Sequence, residues 1–293
     1  MRIRYFLAAW VLGALMLSCQ PAERETDEAI VSVSIMPLQY FADRLTGEAV
    51  DVNVMVPPGA SHATYSPSTS QLQKLSDSQL YFRIGHLGYE EAFVHRLESL
   101  NPDMRVLNLS DDVRLIRGEV IDHGDHVHEG GIDPHIWMSP KVMLDRLPAM
   151  TEALVEAYPD LEADILANAA DLRADIEDLD ARLQQLTGEM QQKTFLIFHP
   201  ALTYMARDYG LHQIPIERHG KEPSPALLRQ IITEAREHNA PVIFIQQEFD
   251  MRSAELVGAE ADVKLVQINP LAYDWIGSIN HIMEVFEEHM TMP

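Results

Sequence analysis

Three histidines stand beside chain-turning prolines or glycines, each about seventy residues from the next. They occur in Pro57-Pro58-Gly59-Ala60-Ser61-His62, in Asp133-Pro134-His135-Ile136-Trp137 and in Phe198-His199-Pro200-Ala201. Neutral imidazole is the commonest protein ligand for zinc, and zinc sites that must exchange a ligand combine three protein donors with one further position. Spacing this wide means that the three rings can meet only through folding, at loops where separate elements converge. A fourth feature is the tract His123-Gly124-Asp125-His126-Val127-His128-Glu129-Gly130-Gly131. Its mixture of His, Asp and Gly is a metal-collecting composition. The chemistry these residues imply is the binding of a transition metal.

The elements that must position them alternate. Residues 30–35, 50–56, 80–84 and 106–109 read as strands, with helices over 38–45, 68–75 and 89–100 between them. Residues 112–131 carry no periodicity and read as a mobile His-rich loop. A second alternation places strands at 195–198, 211–216, 242–245 and 263–268, separated by helices at 202–209, 225–237, 252–261 and 276–289. Alternation of this kind predicts parallel sheets with helices on both faces. Between the halves, Leu161, Ile165, Asn168, Leu172, Ile176, Leu179, Leu183, Leu186 and Met190 recur at steps of three and four. They predict one long amphipathic helix over 159–192, on the order of 50 Å at 1.5 Å per residue. A dimerising coiled coil is the rival reading of that stripe. The fold class is therefore α/β: two lobes, each a mainly parallel sheet flanked by helices, joined by a single long backbone helix.

The amino terminus indicates the compartment. Arg2 and Arg4 precede an apolar run over residues 5–17, then Ser18 and Cys19, the pattern of a secretory signal. The run is shorter than the roughly 20 residues that a membrane-spanning helix needs. Cys19 is the only cysteine, so no disulfide can form within the chain and no Cys-rich zinc knuckle is possible. Met16-Leu17-Ser18-Cys19 resembles a bacterial lipobox with Met in place of the usual Leu, which makes Cys19 a lipidation site. The organisation is then a signal at 1–19, a flexible tether at 20–29 and an N-terminal α/β lobe at 30–144 that includes the loop 112–131. A helical segment at 145–193 and a C-terminal α/β lobe at 194–293 complete it. A net charge of -23 disfavours nucleic acid as a partner. Walker, Gly-x-Gly-x-x-Gly and His-Glu-x-x-His signatures are absent.

Taken together, these blocks resemble the metal-binding subunits of bacterial ABC importers for zinc and manganese, whose two lobes are joined by one long helix. The resemblance runs from Val31 to the carboxyl terminus. It rests on the segments Pro58-Gly59-Ala60-Ser61-His62-Ala63-Thr64-Tyr65-Ser66-Pro67, Asp133-Pro134-His135-Ile136-Trp137-Met138-Ser139-Pro140 and His199-Pro200-Ala201-Leu202-Thr203-Tyr204. Glu222-Pro223-Ser224 and Asn269-Pro270-Leu271 resemble two further family blocks. The resemblance implies that His62, His135 and His199 are metal ligands. It also implies a fourth ligand at Asn269, where the family commonly has a carboxylate and this chain has an amide. Glu248, Asp274 or water are the replacements. Three imidazoles without that carboxylate favour zinc over manganese. The implied role is a monomeric, lipid-anchored periplasmic or cell-surface protein that delivers zinc to an importer's permease and ATPase, without turnover. His123, His126 and His128 form a low-affinity loop site in this reading.

Two rival functions use the same residues. One is a secreted zinc hydrolase with Glu248 or Glu217 as general base. The other is a surface adhesin with a structural metal. His86, His95, His212, His238, His281 and His289 read as surface or packing residues, and His219, near Glu217 and Glu222, is ambiguous.

Overall fold

The computed structural model describes residues 29–291 except 48, 63, 93–100, 119–120, 123–126, 129–130 and 218–222. The signal, Cys19, His95, His123, His126, His219 and Glu222 lie outside the described residues, and of His128 only the backbone is described.

Two parallel four-stranded sheets carry the fold. In the first, β1 (Ile30–Val33), β2 (Asp51–Val54), β3 (Leu80–Arg83) and β4 (Arg105–Asn108) run in the order β2-β1-β3-β4. Strand β1 is buried at every position, as expected of a central strand covered on both faces. Helix α1 (Met36–Thr46) connects β1 to β2, and α2 (Thr69–Ser76) connects β2 to β3. A short antiparallel hairpin pairs β5 (Ile121–Asp122) with β6 (Val127–His128). The second sheet comprises β7 (Thr194–Ile197), β8 (His212–Pro215), β9 (Val242–Gln246) and β10 (Lys264–Ile268), in the order β10-β9-β7-β8. Numbered within its own lobe, this order is that of the first sheet. The halves share one topology, although their sequences show no repeat.

The connector is helix α3 (Pro140–Ala157) followed, after a 3-10 turn at Pro159–Leu161, by the 28-residue α4 (Glu162–Glu189). Helix α4 spans about 42 Å, and its residues Ile165, Leu172, Ile176, Leu179 and Leu183 are fully buried. Asn168, the polar interruption in the stripe, donates its Nδ2 hydrogen to the Leu45 carbonyl at 3.1 Å. The stripe packs on α1, α3 and the C-terminal helix α8 (Trp275–Met290) of the same chain. Its apolar face is therefore covered internally, which removes the coiled-coil reading. The C-terminal lobe also contains α5 (Thr203–Tyr209), α6 (Pro225–Glu237) and α7 (Arg252–Ala261).

The described ends of the segment 112–131, read from the sequence as part of a mobile loop, are tied by backbone hydrogen bonds. The Asp133 amide donates to the Ile116 carbonyl at 2.9 Å and the Gly118 amide to the Gly131 carbonyl at 2.8 Å. Ile116 in turn donates its amide hydrogen to the Tyr204 hydroxyl at 3.1 Å. These bonds fasten the start of the segment by backbone pairing, which needs no apolar periodicity and so leaves no trace in the pattern.

Candidate metal centre

Each of the three histidines lies beside an element that aims it at the cleft between the lobes. His62 lies midway along the loop after β2, and that loop is held at its base by Gln71 of α2. Gln71 completes a capping box with Ser68, and its Nε2 donates to the carbonyls of Val54 at 3.0 Å and Met55 at 2.8 Å. His135 sits in the turn before a 3-10 turn (Ile136–Met138) whose Trp137 is fully buried. His199 follows β7, the first strand of the second sheet. The buried Gln246 clamps the His199 backbone, accepting from its amide at 3.3 Å and donating to its carbonyl at 2.7 Å. The His62 and His199 loops lie at the carboxyl ends of parallel strands, where open α/β sheets bind ligands.

The rings meet. The His135 Nε2 lies 3.1 Å from the His62 Nε2 and 3.2 Å from the His199 Nε2. Two donors about 2.0–2.1 Å from a tetrahedral zinc ion are about 3.3 Å apart, so these separations are close to those of a zinc cage. His62 and His135 are buried and His199 is nearly so. Among the described residues, these three form the one group of His, Cys, Asp or Glu with donor atoms close enough to hold a metal.

Two carboxylates fix which nitrogen faces the centre. Asp133 Oδ1 lies 2.8 Å from His135 Nδ1 and also accepts the His135 amide at 2.9 Å. Glu217 Oε2, buried at the end of β8, lies 3.1 Å from His199 Nδ1. An ionised carboxylate can only accept, so both rings carry their proton on Nδ1 and present an Nε2 lone pair to the other. Burial works against the Asp133 charge, but the His135 ring and the hydrogen bonds around it outweigh burial and hold the carboxyl below its usual range. Burial depresses the His135 pKa, against the opposing pull of Asp133. His62 is held well below its ordinary value by burial and then by the two neighbouring rings. Its Nδ1 is buried and without a hydrogen-bond partner. The Nε2 lone pairs of His135 and His199 therefore face each other at 3.2 Å, an arrangement that repels unless a cation sits between them.

The other candidates fall elsewhere. Glu248 and Asn269 line a neighbouring cavity of about 90 Å³ together with Pro58, Ala60, Leu271 and Tyr273. At about 30 Å³ per molecule, that space suits a few waters. Burial raises the Glu248 pKa, while the nearby His199 ring opposes the rise. The Asn269 Oδ1 already accepts the Leu271 amide at 3.1 Å. Asp274 is an exposed N-cap, accepting the Gly277 amide at 2.9 Å. Glu217 is engaged on the Nδ1 side of His199, away from the Nε2 cluster, which removes it as a base for a metal-bound water. Sequence reasoning gave no role to Asp133, Gln246 or Phe249, which stacks on His199 with centroids 5.1 Å apart. A buried-strand position occupied by Gln was the one legible signal.

The sequence matches the ZnuA family, described as zinc-uptake complex component A, periplasmic, over residues 31–289. It is 27% identical over 259 residues to the high-affinity zinc uptake system protein ZnuA of Bacillus subtilis, covering 85% of this chain and 81% of that protein. It is 25% identical over 278 residues to the zinc-binding lipoprotein AdcA of Streptococcus pneumoniae, covering 90% of this chain and 54% of the lipoprotein. The chain thus spans about half the length of that relative. A crystal structure of ZnuA superposes with a TM-score of 0.80 at 33% identity, covering 89% of this chain and 99% of the other. A zinc-bound deletion mutant of ZnuA superposes with a TM-score of 0.81 at 32% identity, covering 90% and 99%. With the matching family spanning both lobes and the connecting helix, this chain belongs to the periplasmic zinc-uptake component A family.

Proposed function

We propose that the chain captures zinc in the inter-lobe cleft through the Nε2 atoms of His62, His135 and His199, and delivers it to the permease and ATPase of an ABC importer. The observation that carries this reading is the set of converging lone pairs. Two carboxylates place the protons of His135 and His199 on the far side of the rings, which leaves their Nε2 lone pairs directed at one point that suits a cation. Imidazole donors select zinc over manganese. The fourth position is taken by Glu248 or by water from the adjoining cavity, while Asn269 orders the turn beside it. The protein works outside the cytoplasm as a monomer, tethered by lipid on Cys19, and the loop histidines His123, His126 and His128 add weak zinc capture. No substrate is transformed, and an adhesin with a structural metal would hold its zinc without exchange.

The test is direct. His62→Ala, His135→Ala and His199→Ala should each weaken zinc binding severely in calorimetric titration while the fold persists by circular dichroism. Wild-type stoichiometry and affinity in any one variant would remove that residue from the site. A zinc-bound wild type that failed to exchange its metal with a chelator would sink the delivery role.

A further inference from the structure

Away from the cleft, the fold brings together two histidines that are distant in sequence and that the sequence pattern assigned to surface or packing. His212 opens β8 and His238 caps the carboxyl end of α6. Their ring centroids are 5.4 Å apart with an interplanar angle of 62°. The three cleft histidines are separated by 5.0, 5.0 and 5.7 Å on the same measure. The outer pair therefore approaches as closely as the cleft rings do, within the reach of two imidazoles on one ion. His212 Nδ1 contacts the Thr194 Oγ1 at 3.4 Å, which restrains that ring and leaves its Nε2 available. Both residues are exposed, so water can supply the remaining donors.

The location also favours a cation. His238 stands at the end of α6, where the helix dipole is negative, and its amide donates to the Glu234 carbonyl at 3.0 Å. Gln192 braces the same turn, its Nε2 donating to the Asn239 carbonyl at 3.1 Å and also to the His238 carbonyl. His212 pairs in register with Thr194 at the start of β7, whereas His199 lies past the end of that strand. At 3.3 Å per residue the two places are about 16 Å apart along the sheet, so an ion at the outer pair shares no ligand with the cleft.

We infer that His212 and His238 form a second, solvent-open zinc site at the outer end of the C-terminal lobe, built from two imidazoles and water. With two protein donors and open coordination, it binds more weakly and exchanges faster than the cleft. This inference goes beyond the proposed transport role and does not depend on it.

The test uses the full chain with His123, His126 and His128 each changed to Ala, first loaded with one equivalent of zinc. Long-range nitrogen–proton correlation spectra of histidine-labelled protein then follow further addition of zinc chloride. The His212 and His238 signals should move together with one midpoint. His238→Ala should weaken the response of His212 by at least about tenfold, because the second donor acts at high effective concentration. His212→Ala should do the same to His238, and neither change should alter the tightly bound first equivalent. Separate midpoints for the two rings, an unchanged His212 response in His238→Ala, or no shift below millimolar zinc would each reduce the pair to an edge-on ring contact and overturn the site. Loss of the first, tight equivalent in the parent protein would instead count against the cleft reading, so the two failures are distinguishable.

Discussion

Replacing Glu217 by Gln changes one charge and almost no shape, and it isolates what the buried carboxylate does for His199. In the wild type, His199 Nδ1 and Glu217 Oε2 are 3.1 Å apart, with Glu217 only 5% exposed. A glutamine can still offer an amide oxygen to the Nδ1 hydrogen, so the ring keeps its tautomer and orientation. What it loses is charge assistance. Hydrogen bonds to charged groups contribute about 1.5–3 kcal/mol and neutral ones about 0.5–1.5 kcal/mol, a difference of about 1–1.5 kcal/mol. At 1.4 kcal/mol per decade, zinc affinity in Glu217→Gln should fall about five- to twelvefold. Glu217→Ala removes the acceptor as well, and the loss should move towards the hundredfold end of the range for groups that orient metal ligands.

Competition of each variant against a chelator of known zinc affinity at fixed pH measures the effect, with thermal unfolding of the metal-free proteins as the control. The metal-free Gln variant should unfold close to the wild-type temperature, because a buried charge has been replaced by a neutral isostere. Zinc affinities within threefold of wild type for both variants would refute the argument that Glu217 tunes His199. Equal losses in the Gln and Ala variants would show that charge is the whole contribution, and a loss confined to the Ala variant would show that the side chain acts only by shape and as a neutral acceptor.

The depressed His62 pKa sets a sign for pH: below about 6.5 the unfolded chain takes up a proton there that the folded chain does not, so stability of the metal-free protein falls as pH falls through that window. Unfolding temperatures between pH 7.5 and 5 should show this slope, and His62→Gln should flatten it; an unchanged slope would contradict the burial argument. Asn269→Asp adds an oxygen-donor carboxylate to the cavity wall and should raise manganese affinity relative to zinc by several-fold, since carboxylates suit manganese; an unchanged ratio would place position 269 outside the metal's reach. Cys19→Ala should abolish incorporation of labelled fatty acid and release the protein from membranes, whereas a wild type that incorporates none would end the lipoprotein reading.

Much of the fold was legible because its signals are local. Four apolar strands per lobe, separated by amphipathic helices, leave parallel sheets as the economical packing, and the stripe from Ile165 to Leu183 specifies a helix with one buried face. The three histidines that the fold brings together stood out in the sequence for a different reason: each lies beside or close to a Pro or Gly that turns the chain. Their supporting residues did not. Asp133 reads as an ordinary turn residue before Pro134, and Glu217 and Gln246 sit at strand ends where polar residues are common. Their roles arise only when β7, β8 and β9 lie side by side and bring His199, Glu217 and Gln246 together. The same limit hid the pairing of His212 with His238, which depends on where a helix from another part of the lobe ends.

The long helix alone does not explain how histidines from two lobes keep an Nε2 separation near 3 Å. The lobes are fastened directly beneath the site. Trp137, two residues after His135, donates its Nε1 hydrogen to the Pro270 carbonyl at 2.8 Å, and Trp275 donates to the Trp137 carbonyl at 2.7 Å. Tyr204, on the helix after His199, donates its hydroxyl hydrogen to the Asp133 carbonyl at 2.8 Å. Asp133 in turn holds His135, so one chain of bonds runs from the C-terminal lobe through Tyr204 and Asp133 to the His135 ring of the N-terminal lobe. Both tryptophan rings are fully buried, and opening this seam would expose them along with three carbonyls. A wide hinge motion is therefore costly, and the geometry of His135 against His199 is set before any metal arrives. Preorganisation of this kind gives tight binding by sparing the ion the work of assembling its own site. It also confines adjustment to the loop that carries His62, the one of the three rings whose Nδ1 has no partner.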